Sequence, residues 1–475
     1  MRAVLRVALV KMLLAAAVAT GAAQDDEESL EDYSCNFCHG NDGTLAGVEE
    51  NKHLIVTHED LKADVHWQKG LRCHDCHGGN PKLDDYVDHR DDAGFRPLQS
   101  LADMPGFCGH CHSDTQYMRR FRPSPRTDQE MEYWTSGHGQ RLRQAGEDYK
   151  KALEAAKDGE EAPVFEDPKV ATCLDCHSPG GKHNMLAVAD QKSPVYVTHV
   201  AETCAKCHSD AELMADRTYH GKPLGHDQYE EWKQSVHGQA MLEKGDLSAP
   251  TCNDCHGNHG AVPPEVDSVA NACGTCHNKV ATLFAETRMK HRFEEEGLPG
   301  CAACHGNHQT QHPSDAMLGM DGEAFCNRCH KDNQFGATLA GATAAVKMRD
   351  GLENLKTQIA VAEHTIEEAE RLGMEVRGPR FDLRQARDAL TNARSVIHTF
   401  SPESVQEAIG EGLTATANVT ASANAALAEH ANRRIWLAAT LAPILLVVGL
   451  LLLYIRALPI PAVQATSQAE QLPEH

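Results

Sequence analysis

The sequence predicts a mainly α-helical chain in three parts: a loop-rich region dense in cysteine and histidine, a helical bundle or coiled-coil stalk, and one C-terminal transmembrane helix. Three observations predict it. Nine copies of a C-x-x-C-H motif lie between residues 35 and 330, separated by turn-forming sequence. Two apolar seams with steps of three and four follow, the spacing of amphipathic helices. Last comes a run of 21 residues without a charge, 435–455, long enough to cross a bilayer as a helix.

The N-terminus carries Arg2, Arg6 and Lys11, then the apolar run M-L-L-A-A-A-V-A and small residues up to Ala23. This three-part pattern reads as an export signal over 1–23, cleaved near Ala23; the apolar run is too short for an anchor. The expected mature chain therefore begins at residue 24, outside the cytoplasm, and its motif region spans 24–335.

All 18 cysteines belong to the motifs. They pair as Cys35 with Cys38, Cys73 with Cys76, Cys108 with Cys111, Cys173 with Cys176, Cys204 with Cys207, Cys252 with Cys255, Cys273 with Cys276, Cys301 with Cys304, and Cys326 with Cys329. A disulfide framework or a zinc knuckle would use the cysteines but needs no histidine straight after the second one. C-x-x-C-H is the attachment signature of c-type haem. Two thiols form thioethers with the haem vinyl groups and the next residue turns its imidazole onto the iron, so sulfur, sulfur and nitrogen must meet one macrocycle. The motifs thus predict nine covalent haems with His39, His77, His112, His177, His208, His256, His277, His305 and His330 as proximal iron ligands. Only 5% of residues are aromatic, which suits a region whose core is porphyrin and which needs its cofactor to fold.

The motif region repeats. Its unit is a histidine, a first motif and a second motif, a period that points to haems stacked along the chain. His66 precedes the motifs at Cys73 and Cys108, His138 those at Cys173 and Cys204, His237 those at Cys252 and Cys273, and His291 those at Cys301 and Cys326. W-T-S-G-H-G-Q from Trp134 matches W-K-Q-S-V-H-G-Q from Trp232 most closely; the motif at Cys35 stands outside the four pairs. Bis-histidine ligation needs nine further imidazoles, and the region supplies sixteen. The repeat-linked His66, His138, His237 and His291 are the leading distal candidates, since neutral imidazole is the commonest metal ligand. His259 and His308 follow in C-H-G-N-H, His183 is the looser equivalent, and module one has Asn80 at this offset. His58 and His199, each in V-T-H, complete the candidates; each of these positions is alternatively a solvated histidine. His74 and His110 lie within motifs and read as bystanders.

Residues 336–430 carry the two seams. Met348, Leu352, Leu355, Ile359, Ala362, Ile366 and Ala369 form one; Leu383, Ala386, Leu390, Ala393, Ile397 and Phe400 form the other. Gly378 and Pro379 are expected to break the chain between them. Ser401 and Pro402 read as N-cap and first-turn proline of a third helix, which runs toward the membrane span. His364, His398 and His430 are expected to be structural. The bundle serves either as a stalk or as a surface for homo-oligomerisation or docking. Trp436 and Tyr454 flank the span as interfacial aromatics do. Arg433 and Arg434 before it, against Arg456 after it, oppose the positive-inside preference; haem attachment outside the cytoplasm decides the orientation, leaving 456–475 as a short cytoplasmic tail.

The pattern S-x-H-G-Q followed by C-x-D-C-H-G-N-H resembles multihaem cytochromes c of the class III and octahaem type, a group that includes hydroxylamine oxidoreductase, octahaem tetrathionate reductase and pentahaem nitrite reductase. The resemblance covers about 35–335 and implies a haem-packed, loop-rich, mostly helical multihaem cytochrome c domain. No C-x-x-C-K motif is present, and no tyrosine occurs between Tyr229 and Tyr454, two departures from reductases of that group. Bis-histidine irons leave no open position, so the expected activity is electron transfer between the quinone pool, or a quinone-reactive membrane partner, and periplasmic or outer-membrane redox proteins in anaerobic respiration. The alternative is reduction of a small nitrogen or sulfur species at one five-coordinate haem. With 68 acidic and 45 basic residues the net charge is −23, which argues against a nucleic-acid partner and suits basic or neutral docking partners. The expected location is the cytoplasmic membrane, single-pass, with the haem domain in the periplasm.

Overall fold

The computed structural model describes residues 34–80, 89, 94–98, 100–156, 163–180, 183–219, 221–261 and 272–459. The expected export signal at 1–23 and the tail beyond 459 lie outside the described residues. The chain is mainly α-helical. The strands among the described residues are a two-residue antiparallel pair, Thr218–Tyr219 with Lys222–Pro223. Two compact units form: Met1–Ala272 with Cys301–His312, and Cys273–Gly300 with Pro313–His475.

The first unit is made of short helices that end on motif histidines, among them Ser34–His39, Cys73–His77, Met104–His112, Cys173–His177, Val200–His208 and Cys252–His256. The aspartate in C-x-D-C-H explains three of these starts. Asp75, Asp175 and Asp254 stand at the third helical position and accept the backbone N–H of Arg72, Thr172 and Thr251 at 2.7–2.8 Å, one half of a capping box that satisfies an orphan donor. The repeat histidines lie on a second kind of element, a helix started by a buried polar cap. Ser136 accepts from Gly139 N and donates to Tyr133 O, and Ser235 does the same with Gly238 N and Trp232 O. A Cβ on Gly139 or Gly238 would collide with the Tyr133 or Trp232 carbonyl, so the glycine of H-G-Q permits this tight helix–cap–helix corner. Apolar packing is sparse: Ala201, Trp232, Met241 and Ala249 make the buried hydrophobic cluster of this unit.

In the second unit three long helices pack together: Leu339–Arg371, Arg377–Val396 and Pro402–Ala457. The first seam is buried along its whole length, with Leu352, Leu355, Ala362 and Ala369 fully enclosed. Leu383, Ala386, Leu390 and Ala393 of the second seam face it, and Val405, Ile409, Val419 and Ala423 of the third helix complete the core. Ile397 packs at the margin, and Phe400 ends the second helix in a left-handed turn. The break between the first two helices falls at Leu372–Val376 around Gly373, whose φ is +76°. Gly378 and Pro379 instead lie inside the first turn of the second helix. The first four N–H groups of a helix have no intrahelical acceptor, so a proline there forfeits no bond. Ser401 caps the third helix by accepting from Ser404 N, with Pro402 at its first position. That helix continues through 435–455. It is the one described helix long and apolar enough to cross a membrane, its apolar window unburied.

Candidate haem-ligand centre

Each motif helix places its two cysteines one turn apart, with the histidine adjacent to the second. Six motif histidines of the first unit face a second imidazole at nearly one distance. The ring centres are 6.0 Å apart for His39 with His89, His66 with His112, His138 with His208, and His256 with His308. They are 6.2 Å apart for His77 with His183 and 6.1 Å for His177 with His259. Two imidazoles bound to one metal ion through bonds of about 2 Å put their ring centres about 6 Å apart. The spacing therefore fits an iron between each pair. Among the described residues no group of three or more histidine, cysteine or acidic side chains is arranged around a metal ion. Each pair offers two imidazole donors, fewer than the four ligands of a structural zinc shell.

Five of the six pairs follow a rule. The repeat histidine faces the second motif of its own module: His66 with the motif at Cys108, His138 with that at Cys204. The histidine after a motif faces the first motif of the module before it: His183 with Cys73, His259 with Cys173, His308 with Cys252. Matching backbone bonds hold these loops in place. Val65 N donates to Met185 O at 2.7 Å, Gly137 N to Ala261 O at 3.3 Å, and Val236 N to Thr310 O at 2.8 Å. Each donor directly precedes the repeat histidine, and each acceptor lies two residues past the loop histidine. Successive modules of this unit are therefore interlocked, each completing a centre that its predecessor begins.

Burial first, and the facing histidine second, lower the imidazole pKa of His77 and His177 to about 4. His138 is likewise pushed down to about 4, with His208 opposite it. His112, His208, His259 and His308 are lowered chiefly by burial. All are neutral at physiological pH, the state in which imidazole binds a metal. Outer nitrogens have defined partners. His39 Nδ1 lies 2.9 Å from Leu54 O and His330 Nδ1 2.9 Å from Thr338 O. His66 Nδ1 lies 3.1 Å from Asp64 Oδ1, a buried carboxylate. Burial pushes the Asp64 carboxyl up, but hydrogen bonds from His66 and the Met185 amide hold it below its usual value.

The cysteines also meet across motifs. The side chains of Cys35 and Cys73, Cys108 and Cys173, and Cys204 and Cys252 are in hydrogen-bond contact. The neighbouring thiol, then burial, raises the pKa of Cys73, Cys173 and Cys204.

Other candidates lie elsewhere. His58 Nε2 is 2.8 Å from Asn36 Nδ2. His199 directs Nδ1 to Ser193 O at 3.0 Å. His291 is largely exposed beside Glu294. His237 occupies the second position of Val236–Lys244, as His138 does in Gly137–Ala155. His277, His305 and His330 stand at the ends of their motifs. His89 is the residue the sequence did not single out: it faces His39 and stacks edge-on against Phe95 at 4.7 Å. It has no counterpart in the repeat, so its only sequence signal is being a histidine between the two motifs of module one.

No curated protein and no solved structure matches the chain. A family model described as Cytochrome c3 matches residues 246–331. That stretch holds the motifs at Cys252, Cys273, Cys301 and Cys326, and it is similar to a multihaem, electron-transferring cytochrome that carries c-type haem.

Proposed function

We propose that this chain is a membrane-anchored electron relay in which nine c-type haems, held by the eighteen motif cysteines, are ligated by histidine on both faces. The six histidine pairs at 6.0–6.2 Å carry this reading. Bound haem supplies an iron that takes up and releases one electron at a time. The paired imidazoles would hold a bound iron from both sides, which would disfavour substrate binding and favour simple electron exchange. Burial favours the neutral form of His77, His112, His138, His177, His208, His259 and His308, and the interlocked loops hold the loop histidines in place. Cys35 lies beside Cys73, Cys108 beside Cys173 and Cys204 beside Cys252, so haems attached there would lie close enough to exchange electrons.

The helix through 435–455 anchors the chain in the cytoplasmic membrane, with the motif region in the periplasm. Electrons would enter from a quinone-reactive membrane subunit, and the acidic surface favours basic or neutral periplasmic cytochromes as acceptors. The test is to rebuild the full-length haem-loaded protein in liposomes, reduce it through a quinol analogue and a quinone-reactive subunit, and then expose it to carbon monoxide, cyanide and nitrite. A relay is reduced fully and keeps its spectrum with all three. Ligand binding at one haem, with turnover of nitrite, would instead establish the reductase alternative.

A further inference from the structure

The outer nitrogens of the paired histidines divide into two kinds. Asp64 caps the helix of His66 and reaches its Nδ1 at 3.1 Å, while its other oxygen accepts Met185 N at 2.8 Å. Glu231 Oε2 lies 3.5 Å from His308 Nδ1, and Glu132 Oε2 lies 3.7 Å from His259 Nδ1. Glu132 and Glu231 hold one position of the repeat, six residues before His138 and His237. The His259 Nδ1 is buried and has no partner within hydrogen-bond distance, so the nearby carboxylate is the group poised to take its proton-bearing side. At the motif of Cys35 the matching role falls to a neutral carbonyl, Leu54 O on His39.

We infer that Asp64, Glu132 and Glu231 are positioning residues that set the haems attached at Cys108, Cys173 and Cys252 as a low-potential group within the relay. This rests on the bis-histidine reading of the pairs His66–His112, His177–His259 and His256–His308. A carboxylate on the outer N–H makes an imidazole a stronger donor, which favours the oxidised, more positive iron. The three carboxylates do not act equally. Asp64 is buried and in direct contact. Glu132 is shared with Arg126, whose Nη2 lies 2.6 Å from its Oε1, so part of its charge is already neutralised.

The test uses the full-length haem-loaded protein and Asp64→Asn, Glu132→Gln and Glu231→Gln variants. Asparagine caps a helix as well as aspartate does, so Asp64→Asn removes the charge and keeps the cap, while its amide gives up the bond from Met185 N. Haem content and low-spin spectra are measured first. Spectroelectrochemical titration with EPR then follows each haem. Asp64→Asn and Glu231→Gln are each expected to raise one potential by about a tenfold change in the reduction equilibrium, about 59 mV for one electron, and to move one low-spin g value. Glu132→Gln moves its haem less. Unchanged potentials and g values in Asp64→Asn and Glu231→Gln, with haem content and low-spin state retained, would overturn the inference. A purely structural Asp64 would lower stability and leave g values alone. High-spin iron in the unmutated protein would instead defeat the bis-histidine reading beneath it.

Discussion

Gly341 shows how one residue couples the bundle to a motif. It lies on the first long helix, and a Cβ there would collide with the His330 ring, whose Nδ1 is held by Thr338 O. Gly341→Ala is expected to displace this imidazole and alter or empty one haem site, seen as a changed low-spin EPR component or a lower haem-to-protein ratio with the other sites intact. Asp315 is a second such residue. Its half-buried carboxylate takes Arg394 through two bonds, 2.9 and 2.8 Å, and Lys356 at 3.2 Å. Burial raises its pKa, but those cations leave it net lowered. A carboxyl held below its unfolded value stabilises the fold above that value, about 3.9, and the contribution fades as pH falls through it. Asp315→Asn should therefore cost about 1–2 kcal/mol at neutral pH, since both cations stay partly solvated, and the difference should shrink in thermal melts below pH 4. The motif cysteines and their histidines are singled out by spacing alone, because the C-x-x-C-H signature fixes their offsets. His89 is not, because an imidazole that faces another across space leaves no fixed offset in sequence.

At the scale of elements, the apolar seams were legible because a helix must repeat its buried face every three or four residues. Their break was misplaced. A glycine–proline pair reads as a stop, yet the first turn of a helix accepts both, and the left-handed Gly373 makes the turn. The seams close on one another within a single chain, so their heptads alone require no second copy. Gly412 on the third helix lies where a Cβ would press on Leu355 and Ala389. Gly412→Val is expected to cost about 1–3 kcal/mol by overpacking, and Leu355→Ala about 2–5 kcal/mol by leaving a cavity, both read from denaturant midpoints of the full-length protein. The interlock between modules was not legible. The repeat left open which histidine faces which motif, and the backbone bonds at Met185, Ala261 and Thr310 carry three loop histidines to the preceding module.

At the scale of the molecule, the two units are stabilised differently. The bundle has a continuous apolar core, whereas the buried cluster of the first unit holds four residues. That unit has too little apolar burial to offset the entropy of its loops without cofactor. Chain made without haem attachment should keep the bundle's helical signal and lose protease resistance over 34–261. The third helix passes without interruption from the bundle core into its exposed apolar stretch. Ending the chain at residue 432 should release a soluble protein with unchanged haem spectra, checked by detergent-free fractionation. Whether histidine closes both faces of the irons is read from near-infrared magnetic circular dichroism of the oxidised protein, normalised to haem content. Low-spin bis-histidine intensity equal to nine haems per chain is expected; a high-spin component, or intensity well short of nine, would overturn the relay.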